Sequence, residues 1–325
     1  MHSQLRQTPL TTTSPTLPDA GRGPTHRHAD HPLRGIALIV GSTVFLACSD
    51  TLAKYLSLTL PALEIAWIRF LVFVLIMIPV VVMSPQPSRV LRSTRPGLQA
   101  LRGLALVLSS ILFISGLRYL PIAAASATSF VAPLFVTALS IVFLSEKVGV
   151  RRWAATLTGL IGVLIVVRPG TASFNSAAIF PIMSALAWAC TLIMTRLISG
   201  ADRAITTMAI SALVGFLLLS ALAPLVWIAP TWHDIMIGIA VGVASTTGQW
   251  LVVLAFRYGD ASVLAPFSYT QLLWASILGF LVFAEIPVVW TFVGASLIIA
   301  SGIYTAHRER MRRLQQLATE PYPSA

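Results

Sequence analysis

Charge is scarce in this chain, and negative charge scarcer still. Asp, Glu, Lys and Arg make up 10% of the 325 residues, with 11 acidic side chains against 22 basic ones. A water-soluble domain carries about 25% charged residues, so a surface facing water cannot be assembled from this composition. Cysteine is nearly absent. Cys48 and Cys190 are the only two, both inside apolar stretches, which excludes a disulfide framework and leaves them as small packing residues. Histidine is missing from the interior of the apolar stretches, since His2, His26, His28, His31 and His307 lie outside them and His233 stands at the edge of one. The three tail histidines His26, His28 and His31 are near enough to meet a metal, but a tail without fixed structure builds no site. There is no H-E-x-x-H, which excludes the usual zinc metalloprotease arrangement, and no P-loop or G-x-G-x-x-G, which excludes ATP-driven transport. Asp50 is the one aspartate deep in an apolar stretch, so a proteolytic pair of aspartates cannot be built. No cofactor or metal is expected, and an intramembrane enzyme is the weaker alternative.

What the chain has in quantity is hydrophobic length. It is 56% hydrophobic with a mean hydropathy of +0.84, and apolar runs of about 20 residues, enough to cross a hydrocarbon core of roughly 30 Å, keep recurring. Ten membrane-spanning helices are predicted near 34–57, 61–83, 98–117, 121–144, 152–168, 176–198, 204–228, 233–256, 261–283 and 288–306. Short connectors marked by Pro or Gly make sequential helices antiparallel neighbours. Residues 1–32, rich in Thr, Pro, His and Gly, read as a disordered tail without the pattern of a cleaved leader. Residues 307–325 read as a basic tail.

The lysines and arginines set the orientation. With the N-terminus in the cytoplasm, Arg34, Arg89, Arg92, Arg95, Arg102, Lys147, Arg151, Arg152, Arg196, Arg203, Arg257, Arg308, Arg310, Arg312 and Arg313 fall on the cytoplasmic side. The outer side keeps Lys54, Arg118 and Arg168, and Arg69 lies within a span. Both termini are therefore expected in the cytoplasm. The net charge of +11 is a topology signal and a contact surface for the lipid bilayer, not a nucleic-acid groove.

One stretch occurs twice. RYLPIAAASATSFVAPLFVTALSIVFLSE, Arg118–Glu146, returns as RYGDASVLAPFSYTQLLWASILGFLVFAE, Arg257–Glu285, in an ungapped register at a spacing of 139. Arg118/Arg257, Tyr119/Tyr258, Ser129/Ser268, Leu134/Leu273, Leu139/Leu278 and Glu146/Glu285 coincide. Upstream the register shifts by three, and Ala47, Cys48 and Lys54 answer Ala189, Cys190 and Arg196. Such a distance is a duplicated half rather than a solenoid period. Five spans per half is an odd number, so the second half crosses the membrane in the opposite sense, the architecture of secondary transporters with a midplane site between the halves.

These paired segments resemble the two EamA repeats of the drug/metabolite transporter superfamily. The resemblance covers roughly residues 34–306 and implies an all-α integral membrane protein of ten helices in two inverted five-helix repeats, at 33–169 and 175–306. It further implies a bacterial inner-membrane location and transport of a small organic metabolite, such as an amino acid or derivative or a vitamin. Pro133 in the first repeat falls opposite Leu272 in the second, so the fourth and ninth spans need not bend alike. A duplicated, inverted half suits alternating access better than a passive channel.

Ionisable groups within spans are the first substrate-site candidates, because burying them is costly unless they are paired or hydrated. At 1.5 Å per residue from the turn near Ser57–Pro61, Asp50 and Arg69 both lie roughly 12 Å deep, and Lys54 and Glu64 about 5 Å deep. The depths offer Asp50–Arg69 as a coupled pair that grips substrate or clamps helices, and Lys54–Glu64 as a gate or helix-pairing contact. Asp50 and Lys54, four apart, are an alternative pairing. Asp50 is also the candidate carrier of a coupling proton. A second set is aromatic and polar: Phe267, Gln271 and Trp274 share one helical face, and Gln249 and Trp250 share another with Thr246. Trp188 joins Ser184, Thr191 and Thr195 near a third. A buried amide finds no hydrogen-bond partner in lipid, so Gln249 and Gln271 must face protein or water. Gly238 and Gly242 fit a close helix contact, as do Ala123 and Ala127. Glu146 and Glu285 end their helices and read as fixing those ends.

Overall fold

Long apolar runs leave the backbone one choice in lipid, which is to satisfy its own hydrogen bonds within helices. Helices are what the computed structural model shows. It describes residues 32–144, 150–168, 175–198, 201–255, 258 and 267–319, and no strand occurs among them. In chain order the helices are α1 (Pro32–Leu56), α2 (Ala62–Val82), the short α3 (Pro87–Val90), α4 (Pro96–Leu117), α5 (Ile122–Ser129), α6 (Ala132–Leu144) and α7 (Val150–Val167). The second half holds α8 (Ile179–Ile198), α9 (Ala204–Leu222), α10 (Trp232–Ala255), α11 (Thr270–Phe283) and α12 (Val289–Thr319). Seven helical segments are long and apolar enough to cross a membrane, with α5 and α6 together forming one of them. Three shorter apolar helices follow the same pattern at Leu157–Val167, Thr270–Phe283 and Val289–Ser301. Leu75, Leu108, Leu217 and Leu281 lie exposed on the outside of the bundle, as a multi-pass membrane protein requires.

Two expectations are corrected here. The last helix does not end near residue 306 but continues to Thr319, because HRERMRRLQQLA is made of good helix formers and carries neither Gly nor Pro. The fourth span is broken into α5 and α6. Around the break, Phe130 N–H bonds to Ala127 O at 3.2 Å and Val131 N–H to Thr128 O at 3.2 Å, the tighter i→i+3 pattern. Pro133, second residue of α6, has no N–H to continue an α-helical ladder, which accounts for the restart at this point. The expected disorder of residues 1–31, and any role for Glu146, lie outside the described residues.

The packing carries the repeat into three dimensions. α1 packs on α10 and on α11, and correspondingly α8 packs on α4 and on α6. α2 packs on α10, and its counterpart α9 packs on α4. α2 meets α9, and α7 meets α12. Exchanging first-half helices for their second-half counterparts therefore maps this set of contacts onto itself, and the halves interdigitate rather than sit side by side.

Small residues permit the closest of these contacts. On α10 a Cβ at Gly238 would stand 2.7 Å from Ile68, and one at Gly242 would stand 2.4 Å from Val72. The i,i+4 spacing thus seats two branched side chains of α2 against bare backbone. α7 and α12 come closer still: a Cβ on Gly294 would lie 2.4 Å from the Gly162 carbonyl oxygen, and one on Gly162 would lie 2.7 Å from the Gly294 carbonyl oxygen.

At one end of the bundle the connectors are knotted by Asp202. Its carboxylate accepts from the Ser93 hydroxyl, from Thr94 N–H at 3.0 Å, from the Thr94 hydroxyl at 3.1 Å and from Gln99 Nε2 at 2.9 Å. Partial burial pushes its pKa up, but these four donors prevail and hold it at about 2. A depressed carboxylate pKa contributes stability above the ordinary value near 4, lost as pH falls towards 2. Asp202→Asn is therefore expected to lower the melting temperature in detergent by about 2–4 °C at pH 7. The gap from wild type should close as the scan is repeated towards pH 2, and a gap constant with pH would remove the carboxylate from this role.

Candidate functional site

A narrow cavity of about 20 Å³ lies between the halves, walled by Arg69, Phe70 and Phe73 of α2, Leu106 and Ser110 of α4, and Ser245, Thr246 and Gln249 of α10. Each helix contributes residues at i, i+4 or adjacent positions, hence one face. The faces meet because α2 packs on both α4 and α10. Arg69 donates from Nη1 to the Ser110 hydroxyl at 3.5 Å, a long contact that uses one of five guanidinium N–H groups. The Thr246 hydroxyl is buried with no partner among the described residues.

Next to this wall, Asp50 of α1 accepts a hydrogen bond at 3.1 Å from Gln271 Nε2 of α11. The contact ties the first half to the second, with the Thr43 and Thr270 hydroxyls 2.8 Å apart on the same pair of helices. Asp50 and Arg69 attract each other electrostatically. They do not form the direct pair their matched depth suggested, since Lys54–Glu285 is the ion pair among the described residues. Gln271 occupies Asp50 instead.

Lys54 also departs from expectation. Its ammonium pairs with the Glu285 carboxylate, donates to Leu120 O at 2.7 Å and sits 5.1 Å from the centre of the Phe283 ring. The other oxygen of Glu285 accepts from Ile122 N–H at 3.1 Å. Lys54 thus points across to the start of α5 and the end of α11, away from Glu64. Glu64, in the first turn of α2, accepts from Ile228 N–H at 3.2 Å, and its other oxygen is buried without a partner among the described residues. Depth along a helix fixes the level of a side chain but not the direction in which it points, so Lys54 met the carboxylate on its own side. The sequence alone assigns Glu285 to fixing a helix end. The signal that could have found it is its position just beyond the ninth span, at the same membrane level as the end of the first.

The aromatic set is dispersed. Trp274, on the face of α11 that carries Gln271, has its indole N–H buried with no partner among the described residues, and Trp250 packs half-buried against the main apolar core. Phe267 packs instead with Ile39 and Ala255. Trp188 is 37% exposed on the outside of α8, and of the substrate-site candidates Arg69 and Gln249 wall the cavity whereas Asp50, Trp188, Trp250, Phe267, Gln271 and Trp274 do not. Phe70, Phe73, Ser110 and Ser245 wall it without having been picked out, because a Phe or Ser in an apolar helix reads as ordinary packing. Cys48 and Cys190 are free thiols.

Comparison with known proteins gives the geometry its context. The model of the EamA-like transporter family matches residues 33–168 and again 175–306. The chain is 27% identical over 278 residues to an S-adenosylmethionine uptake transporter of Rickettsia felis, covering 86% of this chain and 94% of that protein. It is 30% identical over 297 residues to a riboflavin transporter of Vibrio cholerae, covering 89% and 98%. A solved crystal structure superposes with a TM-score of 0.59 at 18% identity, covering 85% of this chain and 97% of that one, a likeness of fold alone.

Proposed function

The chain belongs to the EamA-like transporter family, and from that premise we propose that it moves a small organic metabolite across the bacterial inner membrane by alternating access. The relatives named for S-adenosylmethionine and riboflavin transport support a small-molecule cargo, and a transporter rather than an enzyme. In this reading ten spans cross the membrane: the seven long helical segments and the three shorter apolar ones. Both termini are cytoplasmic, following the arginine asymmetry.

The observation that carries the reading is the cavity of charged, aromatic and hydroxyl side chains walled by helices of both halves. Inverted halves that share such a cavity can rock about it and expose it to either side in turn. Asp50, Arg69, Gln249, Gln271 and Trp274 are the substrate-binding candidates. Lys54 and Glu285 close the outer side by joining the end of α1 to the connector between α11 and α12. Asp50 is the candidate carrier of a coupling proton.

The test is uptake and efflux by the purified protein in liposomes against a metabolite panel that includes S-adenosylmethionine and riboflavin, with and without a pH gradient. The expected result is saturable flux of at least one compound, with counterflow when the same compound is preloaded. Flux that rises linearly with concentration would make the protein a passive channel, and chemical conversion of the compound would make it an enzyme.

A further inference from the structure

The wall of the narrow cavity is one-sided, both in charge and in hydrogen bonding. Arg69 brings a full positive charge, and no carboxylate stands among the described residues that wall it. Asp50 attracts the guanidinium from beyond the wall but is itself held by Gln271 of α11. Arg69 spends one N–H on the Ser110 hydroxyl, at 3.5 Å, out of the five that a guanidinium carries. Ser110 accepts that bond and keeps its own hydrogen to donate. The Thr246 hydroxyl, on a residue 5% exposed, has no partner among the described residues. Gln249 adds an amide NH₂ group to the same wall. Ser245 differs, giving its hydrogen to Gly242 O of its own helix at 3.0 Å.

Size decides what such a wall can hold. The cavity measures about 20 Å³, and about 10–15 Å³ admits one water molecule. An anion of several heavy atoms, such as a carboxylate or a phosphate, is too large. From the surplus of donors and the single-atom space we infer that the cavity is a halide site, taking one chloride ion on Arg69, Ser110, Thr246 and Gln249. Water would answer the hydrogen bonds but not the charge, and an uncompensated cation at this depth in a membrane is costly. A halide supplies the missing charge and accepts from several donors at once. Phe70, Phe73 and Leu106 complete the wall without a carbonyl or carboxylate oxygen in their side chains to repel it. The donors come from α2 and α4 of the first half and from α10 of the second, so the ion ties the halves together while the cavity is narrow. Widening the cavity for a larger cargo would part those donors and release the ion. The site stands on the cavity itself and does not depend on what the protein transports.

The experiment is equilibrium dialysis of radiolabelled chloride against the purified full chain in detergent, with gluconate holding the ionic strength constant. The expected result is saturable binding of a single chloride per chain, displaced by bromide and not by gluconate. Thr246→Val, close in shape but without the hydroxyl, should weaken it about fivefold or more, as the loss of one hydrogen bond to a charged group requires. Arg69→Gln should weaken it at least tenfold. Arg89→Gln, on the exposed face of α3, should leave it unchanged. If Arg69→Gln fails to fold, Thr246→Val decides alone. Absence of saturable binding overturns the inference and leaves the cavity to water. Binding that is unchanged in Thr246→Val, or that falls in Arg89→Gln, also overturns it and places the chloride on the basic cytoplasmic surface. Binding is read without flux, so failure here leaves the transporter reading standing, and failure of transport leaves the halide site standing.

Discussion

Lys54→Met is expected to open the outer side of the protein. The ammonium it removes holds three groups at once: the Glu285 carboxylate, the Leu120 carbonyl and, through its position over the ring, Phe283. Its side chain is only 8% exposed and that of Glu285 is 24% exposed, so the pair is partly shielded from water and worth more than a surface contact. Breaking a fully buried pair from one side costs on the order of 3–5 kcal/mol, and the access of Glu285 to water places this one lower. A shift of about 1.4 kcal/mol already changes a two-state population tenfold. With Ser110→Cys as a cavity reporter in a Cys48→Ser, Cys190→Ser background, Lys54→Met is expected to raise labelling from outside at least tenfold. Glu285→Gln should act in the same direction, and the exchange Lys54→Glu with Glu285→Lys should slow labelling only in part, because it sets a carboxylate against the Leu120 carbonyl and an ammonium against Ile122 N–H. Labelling unchanged by either single substitution would make the pair a static brace rather than a gate.

Gly294→Leu is expected to reduce membrane abundance below a tenth of wild type. At this crossing the obstacle to a Cβ is the Gly162 carbonyl oxygen, 2.4 Å away, with Val166 Cγ2 at 2.6 Å. A flexible side chain can swing aside, but backbone can yield only if α7 and α12 separate along their length. Overpacking of this kind costs typically 1–3 kcal/mol for an added methyl group, which sets the scale for Gly294→Ala. A leucine multiplies the misfit. Phe292→Leu, on the exposed face of the same helix, should leave abundance near wild type. Abundance of Gly294→Leu equal to that control would mean that the two helices do not meet there.

How much of this could be read from residues alone depended on whether the cause was local. The helical class and a close helix contact at Gly238 and Gly242 follow from hydrophobic length and i,i+4 spacing, so they were legible, although the partner α2 was not. So was the chance of a bend near Pro133, because a missing N–H acts on its own turn. The partner of Lys54 was not. It is chosen by the face of α1 that turns towards α11, which is fixed by packing between residues more than 200 positions apart. Depth along the helices pairs Asp50 with Arg69, but it is Gln271 that donates to Asp50, across the boundary between halves. Phe70 and Phe73 left no signal, since an aromatic that walls a cavity and one that fills a core are the same letter in the same helix.

The exchange symmetry of the packing bears on how the chain comes to be assembled in the membrane. α1 ends at Leu56, yet its partners α10 and α11 begin at Trp232 and Thr270. As the ribosome feeds helices into the bilayer in order, α1 enters with Asp50 and Lys54 aboard, long before Gln271 and Glu285 have been translated. Contacts of such sequence separation form late, so the early helices wait with polar groups uncovered, in lipid or against the insertion machinery. Until the second repeat is made, α1 lacks the helices α10 and α11 on which it packs. A ribosome that stalls between the repeats delivers helices whose docking faces belong to a partner not yet made.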